Sequence, residues 1–238
     1  MILYYVRHGD PIYDPDSLTE LGHKQAEALS KRFKKYGVDE IYASTSMRAQ
    51  MTAQPTCEKL GKEMTLLDWA NEGHAWLDFN VKNEKGEAKW AFHVESCRRQ
   101  MHAPEVRAMG EEWYKHPYFE DTNFARGVNR INTEVDAFFA KLGFVHDREN
   151  ACYRVTKKNQ DRVALFAHEG FGKIFLSSVL DIPYPIVATK MELGHSSVTV
   201  IYFDEKVESC HPRLLQWSND SHLYKEDVLT GYQNWIEI

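Results

Sequence analysis

The chain has 238 residues, 43% of them hydrophobic and 27% charged, with a formal net charge of −6 and a pI of about 6.0. That length builds a full core, as one large domain or a domain with an insertion, and the acidic balance argues against the basic footprint of a nucleic-acid binder. Cys57, Cys97, Cys152 and Cys210 show neither metal spacing nor a disulfide framework, no apolar run reaches membrane-span length, and the first residues lack a signal-peptide pattern, so the expected compartment is the cytoplasm.

Residues 1–6, MILYYV, are an apolar run rich in β-formers. They predict a buried strand that delivers Arg7, His8 and Gly9 to the carboxyl edge of a sheet, where open α/β sheets bind ligands. A polar turn with two prolines follows over 10–17. Thr19 then reads as the N-cap of a helix with Glu20 in its first turn, an apolar stripe of Leu21, Ala28, Leu29 and Phe33, and Gly37 at its end. Residues 39–43 predict a second strand, 44–60 a second helix with Gly61 behind it, and 64–67 a short third strand.

Between 73 and 126 the strand–helix rhythm is lost. This stretch holds Trp76, Trp90 and Trp113, the histidines His74, His93, His102 and His116, and nearly balanced charge. It is too aromatic for a disordered linker and reads as an inserted cap, its tryptophans forming a small core. Its histidines lack metal-ligand spacing, and Arg98-Arg99 reads as a solvated charge pair rather than a substrate clamp. Residues 124–142 predict an amphipathic helix with Val128, Ile131, Val135, Phe138 and Phe139 on its apolar side. Residues 144–146 and 153–155 suit a short hairpin. RVALFA at 162–167 is the clearest buried strand and runs into His168-Glu169-Gly170 and a helix over 171–180, with further strands at 197–203 and 213–217. The order describes one α/β domain over 1–238, a three-layer α/β/α sandwich with a mainly parallel sheet and the 73–126 cap inserted in it.

The residues that end the strands carry the chemistry. The first strand ends at Arg7-His8, the second leads to Arg48 in the first turn of a helix, the third leads towards Glu72, and RVALFA ends at His168. Guanidinium forks and a helix N-terminus match phosphate oxygens. A neutral imidazole there is a nucleophile for phosphorus, and a carboxyl group can protonate a leaving oxygen. Asp68 and Asp78 are alternatives to Glu72 for that last task, and His195, ahead of the 197–203 strand, is a further candidate for substrate contact.

VRHG at 6–9, LTELGHKQA at 18–26, ASTSMRAQMTA at 43–53, ANEGHAW at 70–76 and FAHEGFGKIFLSSVLDIP at 166–183 together resemble the histidine phosphatase superfamily, the group that includes cofactor-dependent phosphoglycerate mutase. The resemblance implies a phosphoglycerate mutase-like fold and a phosphohistidine on His8. Arg7, Arg48 and His168 would bind the phosphoryl oxygens, and Glu72 would serve as general acid and base, with no metal and no cofactor. The partner would be a small phosphorylated substrate, and a crowd of cations would keep His8 deprotonated. Three departures stand out. Ser44-Thr45-Ser46 replaces a Ser-Pro-Leu, the second His-Gly is His168-Glu169-Gly170, and Asp10-Pro11-Ile12-Tyr13 stands where the mutase branch has its tryptophan-asparagine signature. The second places a carboxylate near the pocket, where it either weakens affinity for highly charged phosphates or points away, and the third favours a phosphatase. The alternatives are a mutase-like phosphotransferase and a non-catalytic phosphate-binding module. The sequence indicates neither the substrate nor the oligomeric state.

Overall fold

The computed structural model describes residues 1–231, so the last seven positions of the expected 1–238 domain, 232–238, lie outside the described residues. In chain order the elements are β1 (Ile2–Arg7), β2 (Pro11–Tyr13), β3 (Asp16–Leu18), α1 (Glu20–Tyr36), β4 (Glu40–Ser44), α2 (Met47–Leu60), β5 (Met64–Leu67), α3 (Glu72–Phe79), β6 (Asn80–Lys82), β7 (Ala88–Trp90), α4 (Glu95–Met101) and α5 (Pro104–Ala108). There follow α6 (Phe124–Lys141), β8 (Phe144–Asp147), β9 (Cys152–Val155), β10 (Arg162–Ala167), α7 (Glu169–Leu180), α8 (Tyr184–Lys190), β11 (Val198–Tyr202), β12 (Ser209–Cys210), β13 (Arg213–Asn219) and α9 (Ser221–Lys225).

The main sheet has the order β13-β11-β1-β10-β4-β5. β1, β10, β4 and β5 run parallel, β11 runs antiparallel to β1, and the edge strand β13, antiparallel to β11, points the same way as β1. The pleat sends alternate residues to opposite faces, and the core divides accordingly. Leu3 and Tyr5 of β1 and Val163, Leu165 and Ala167 of β10 pack with Ile131, Val135 and Phe139 of α6 and Phe171 and Phe175 of α7. Tyr4 and Val6 of β1 and Ala164 and Phe166 of β10 pack with Leu29 and Phe33 of α1 and Ala53 and Cys57 of α2. This is the expected α/β/α sandwich with a mainly parallel sheet, because β1 and β10 are apolar on both faces and only a strand covered twice can be.

Thr19 caps α1, its hydroxyl accepting the Gly22 N–H at 3.0 Å, and Gly37 ends the helix. Leu21 is 41% exposed and lies off the buried stripe, which runs instead through Gln25, Ala26, Leu29 and Phe33. The helix expected from 44 begins only at Met47, because Ser44 still belongs to β4 and Ser46 takes the N-cap position. The segment read as a plain turn folds as the β2–β3 hairpin. Between α3 and α6 the chain makes short helices and the β6–β7 hairpin, and Ala91, Phe92, Val106, Trp113 and Phe119 there are buried in the same cluster as α6 and α7. No helix among the described residues is long and apolar enough to cross a membrane. The four cysteines are free and buried.

Candidate active site

Register puts the two histidines side by side. Arg7 pairs with Ala167 across β1 and β10, and the His8 N–H donates to the Ala167 carbonyl at 2.9 Å, so both strands release their next residue at the same edge. The His8 and His168 rings lie 5.2 Å apart between centroids. His8 Nδ1 is 2.7 Å from the Gly9 carbonyl, and a proton held there leaves the lone pair on Nε2. Gly9 has to be glycine: a Cβ would stand 2.7 Å from the carbonyl oxygen of Gly22 at the start of α1. His8 is held well below the ordinary histidine range, first by burial and then by His168 and Arg7. The cations contribute, as expected, but desolvation is the larger cause.

Arg48 reaches the site from the first turn of α2. The Gly9 N–H donates to Thr52 Oγ1 at 2.9 Å, and that hydroxyl donates to the Arg48 carbonyl at 2.8 Å, which ties the loop carrying His8 to the helix carrying Arg48. Arg48 Nη1 is paired with Asp16 of the β2–β3 hairpin at 2.8 Å, and Nη2 stands 3.9 Å from Glu72 Oε2. Arg7 donates to the Leu193 carbonyl and pairs with Glu169 at 2.9 Å. The carboxylate of the departed His-Gly motif therefore turns towards Arg7, and it also meets the fully buried Lys173 at 3.2 Å.

Glu72 sits in the first turn of α3. Asn71 places it, accepting the Gly73 N–H at 2.9 Å and donating to Thr45 Oγ1 at 2.8 Å. Glu72 Oε1 accepts the Phe171 N–H of α7 at 3.1 Å, and Oε2 lies 3.3 Å from His168 Nδ1. Burial pushes its carboxyl up to about 7, against the pull of the Phe171 N–H and of Arg48. The two alternative acids are engaged elsewhere. Asp78 is buried between Arg126 and Arg130 at 2.8 and 2.9 Å, and Asp68 is exposed beside His74.

His168 Nε2 is 2.8 Å from Ser44 Oγ, and burial, then Arg48 and Arg7, lower its pKa well below the usual range. His195 is brought in as well. Its ring centroid is 5.8 Å from that of His8, and Nδ1 is 3.4 Å from Asp10. The Ser196 N–H pins its loop to the His8 carbonyl at 3.0 Å. Arg98 and Arg99 stay on the exposed face of α4, where Arg99 pairs with Glu95 at 2.7 Å. His8, Glu72, His168, Arg7, Arg48 and His195 thus share one locality. Ser44 and Thr52 lie within the 43–53 motif and Asp10 in the departing 10–13 segment, but their roles as partners, like that of Asp16, come from contacts between segments far apart in sequence.

Four buried polar atoms of this locality have no hydrogen-bond partner among the described residues: Nε of Arg7, Nε of Arg48, Nδ1 of His168 and Nε2 of His195. Buried donors are ordinarily satisfied, so donors gathered unsatisfied around one imidazole suit an anion bringing its own acceptors. One ligand atom each from His8, Glu72 and His168 lie within 4.8 Å of one another, close enough to hold a cation. The flanking guanidinium groups of Arg7 and Arg48 oppose a dication there and favour an anion.

Residues 3–116 match the family model described as the histidine phosphatase superfamily, branch 1. No curated protein matches the sequence. Among solved structures, phosphoserine phosphatase from Entamoeba histolytica, bound to 3-phosphoglyceric acid, is similar at 18% identity and a TM-score of 0.58, over 93% of this chain and 98% of its own. A mycobacterial glucosyl-3-phosphoglycerate phosphatase is similar at 21% identity and a TM-score of 0.57, over 91% of this chain and 98% of its own. A putative alpha-ribazole-5'-P phosphatase from Escherichia coli shows 16% identity and a TM-score of 0.58, over 92% and 98%. At these identities the likeness establishes the fold.

Proposed function

Residues 3–116 place the chain in the histidine phosphatase superfamily, and from that premise we propose that it is a metal-independent phosphomonoesterase working through a phosphohistidine on His8. The three neighbours described above are phosphatases of small phosphate esters by name, which supports hydrolysis as the reaction. The observation that carries the reading is the set of unsatisfied buried donors around His8, whose Nδ1 is engaged by Gly9.

In the first step His8 Nε2 attacks phosphorus and the bond to the ester oxygen breaks, while Glu72 gives its proton to the leaving alcohol. Arg7, Arg48 and His168 take the developing charge on the phosphoryl oxygens. In the second step the Glu72 carboxylate removes a proton from water. The resulting hydroxide attacks phosphorus, the P–N bond breaks, and inorganic phosphate and neutral His8 are restored. A carboxyl near 7 suits both roles, being partly protonated at neutral pH. Free cysteines support a reducing, cytoplasmic setting.

The test is hydrolysis of 4-nitrophenyl phosphate in EDTA by the wild type and by His8→Ala. Turnover in EDTA that disappears in the variant supports the mechanism. Turnover that survives His8→Ala, or that EDTA abolishes, rejects it.

A further inference from the structure

Glu72 marks the side of the site from which the ester oxygen departs, so the rest of the substrate has to run out through the cavity that opens beside it. That cavity is about 510 Å3, within the range of small-molecule sites, and Arg48 and Glu72 are among the residues that line it. From the lining we propose that the leaving group carries a flat, uncharged ring, so that the substrate is the monophosphate of a ring-bearing alcohol of the nucleoside kind. The inference rests on the phosphatase reading and narrows it.

Aromatic side chains line the cavity. Trp76 and Trp90 stand 5.1 Å apart between ring centroids at 82°, one offering an edge where the other offers a face. Trp90 is not free to collapse into the gap. It stacks on Phe92 at 5.4 Å and 17°, and the Phe92 ring carries the Lys173 ammonium at 4.1 Å. Tyr13, 67% exposed at the tip of the β2–β3 hairpin, also lines the cavity, and the Arg48 guanidinium lies 5.4 Å from its ring centroid. Held aromatic rings beside a hydrolytic centre form a surface on which a planar group stacks.

Charge points the same way. Arg48 is the one cation among the described residues lining the cavity, and it already faces Asp16 as well as the phosphoryl position. The acids lining it are Asp16 and Glu72. A second anion on the leaving group, such as a carboxylate or another phosphate, would lose its hydration without gaining a counter-charge. Stacking rewards the neutral ring and the missing cation penalises the anionic tail.

The experiment compares kcat/KM for substrates that share a leaving oxygen: adenosine 5'-monophosphate against ribose 5-phosphate, and glycerol 3-phosphate against 3-phosphoglycerate. The nucleotide should exceed the bare sugar phosphate by about ten- to hundredfold, the range of one base stacked on aromatic side chains. Glycerol 3-phosphate should exceed 3-phosphoglycerate by at least about tenfold, the size of one desolvated, unpaired charge. In Trp76→Ala the nucleotide-to-sugar ratio should fall towards one, and Tyr13→Ala, a change on the exposed hairpin, carries the same test should the first variant not fold. Equal rates for nucleotide and sugar phosphate, or a preference for 3-phosphoglycerate, would overturn the inference and leave the phosphatase reading standing. No turnover of any of these esters or of 4-nitrophenyl phosphate would overturn both.

Discussion

Ser44 Oγ and His168 Nε2 are joined by a hydrogen bond of 2.8 Å that holds the imidazole in the site. The Ser44 hydroxyl accepts the Ser46 N–H at 3.2 Å, and we expect it to give its own proton to His168 Nε2. The ring proton is then on Nδ1, on the side of Glu72 and the phosphoryl position. Ser44→Ala removes that choice without opening a large hole, because the hydroxyl is small. We expect kcat to fall about tenfold, the worth of one buried hydrogen bond, with the melting temperature little changed. An unchanged kcat would show that the tautomer of His168 is set elsewhere.

The pH profile should be bounded by two groups moved in opposite senses. His8 must be neutral to attack, and its lowered pKa puts the acid limb of kcat/KM below pH 6.5. Glu72 must be protonated to release the alcohol, and its carboxyl near 7 makes the rate decline above neutrality. Glu72→Gln should remove the alkaline limb and lower kcat by about 10²–10⁴. A wild-type profile flat through pH 8 would take the acid role away from Glu72.

The same shift has a cost in stability. A carboxyl with a folded pKa above its ordinary 4.5 binds more protons folded than unfolded between 4.5 and about 7. Stability is then lost as pH rises through that window, by about 3 kcal/mol for this one group. Glu72→Gln should therefore unfold at higher urea than the wild type at pH 8, with the difference shrinking at pH 4.5. Equal midpoints at pH 8 would mean that the carboxyl is not strained by its burial.

Gly170 packs tightly between Trp90 and Glu72. A Cβ there would stand 2.5 Å from the Trp90 ring and 2.6 Å from Glu72 Oε1. Gly170→Ala should push the carboxyl and the indole apart, costing about 1–3 kcal/mol in stability and a larger share of kcat than of KM. Kinetics and thermal melting of the one variant check both, and wild-type kcat would show that the acid tolerates displacement.

Lys173 is fully buried between Glu169 at 3.2 Å and Glu192 at 3.0 Å, and Glu169 in turn pairs with Arg7. Lys173→Met keeps the volume but removes the positive charge from two carboxylates. The expected loss is about 3–5 kcal/mol by urea unfolding, the size seen when one member of a buried charged set is deleted. A loss under about 1 kcal/mol would mean that the two acids share a proton and need no cation.

The catalytic edge was legible because β1 and β10 are long apolar runs whose last residues are functional, and because Arg48 and Glu72 follow closely on the short strands β4 and β5. Shorter elements left weaker traces. β2 and β3 have three residues each with a proline beside or inside them, below the length at which alternation registers. The helix α8, YPIVATK, is β-branched in composition and held as a helix by burial of Tyr184, Val187 and Ala188. The pairing of Glu169 with Arg7 joins residues far apart in sequence, and no spacing rule anticipates it. Nor did aromatic content tell Trp113, which is buried, from Trp76 and Trp90, which line the cavity.

The segment between α3 and α6 shares its interior with the body: Phe92, Trp113 and Phe119 belong to the same buried cluster as Phe139 and Phe175. A roof built this way cannot be trimmed, swapped or hinged open as a detachable part, because lifting it would wet the floor on which the sheet rests. Substitutions in its interior are therefore expected to cost stability across the whole molecule. Engineering a wider mouth would weaken the whole frame, and the exposed β2–β3 hairpin offers the gentler place to retailor it.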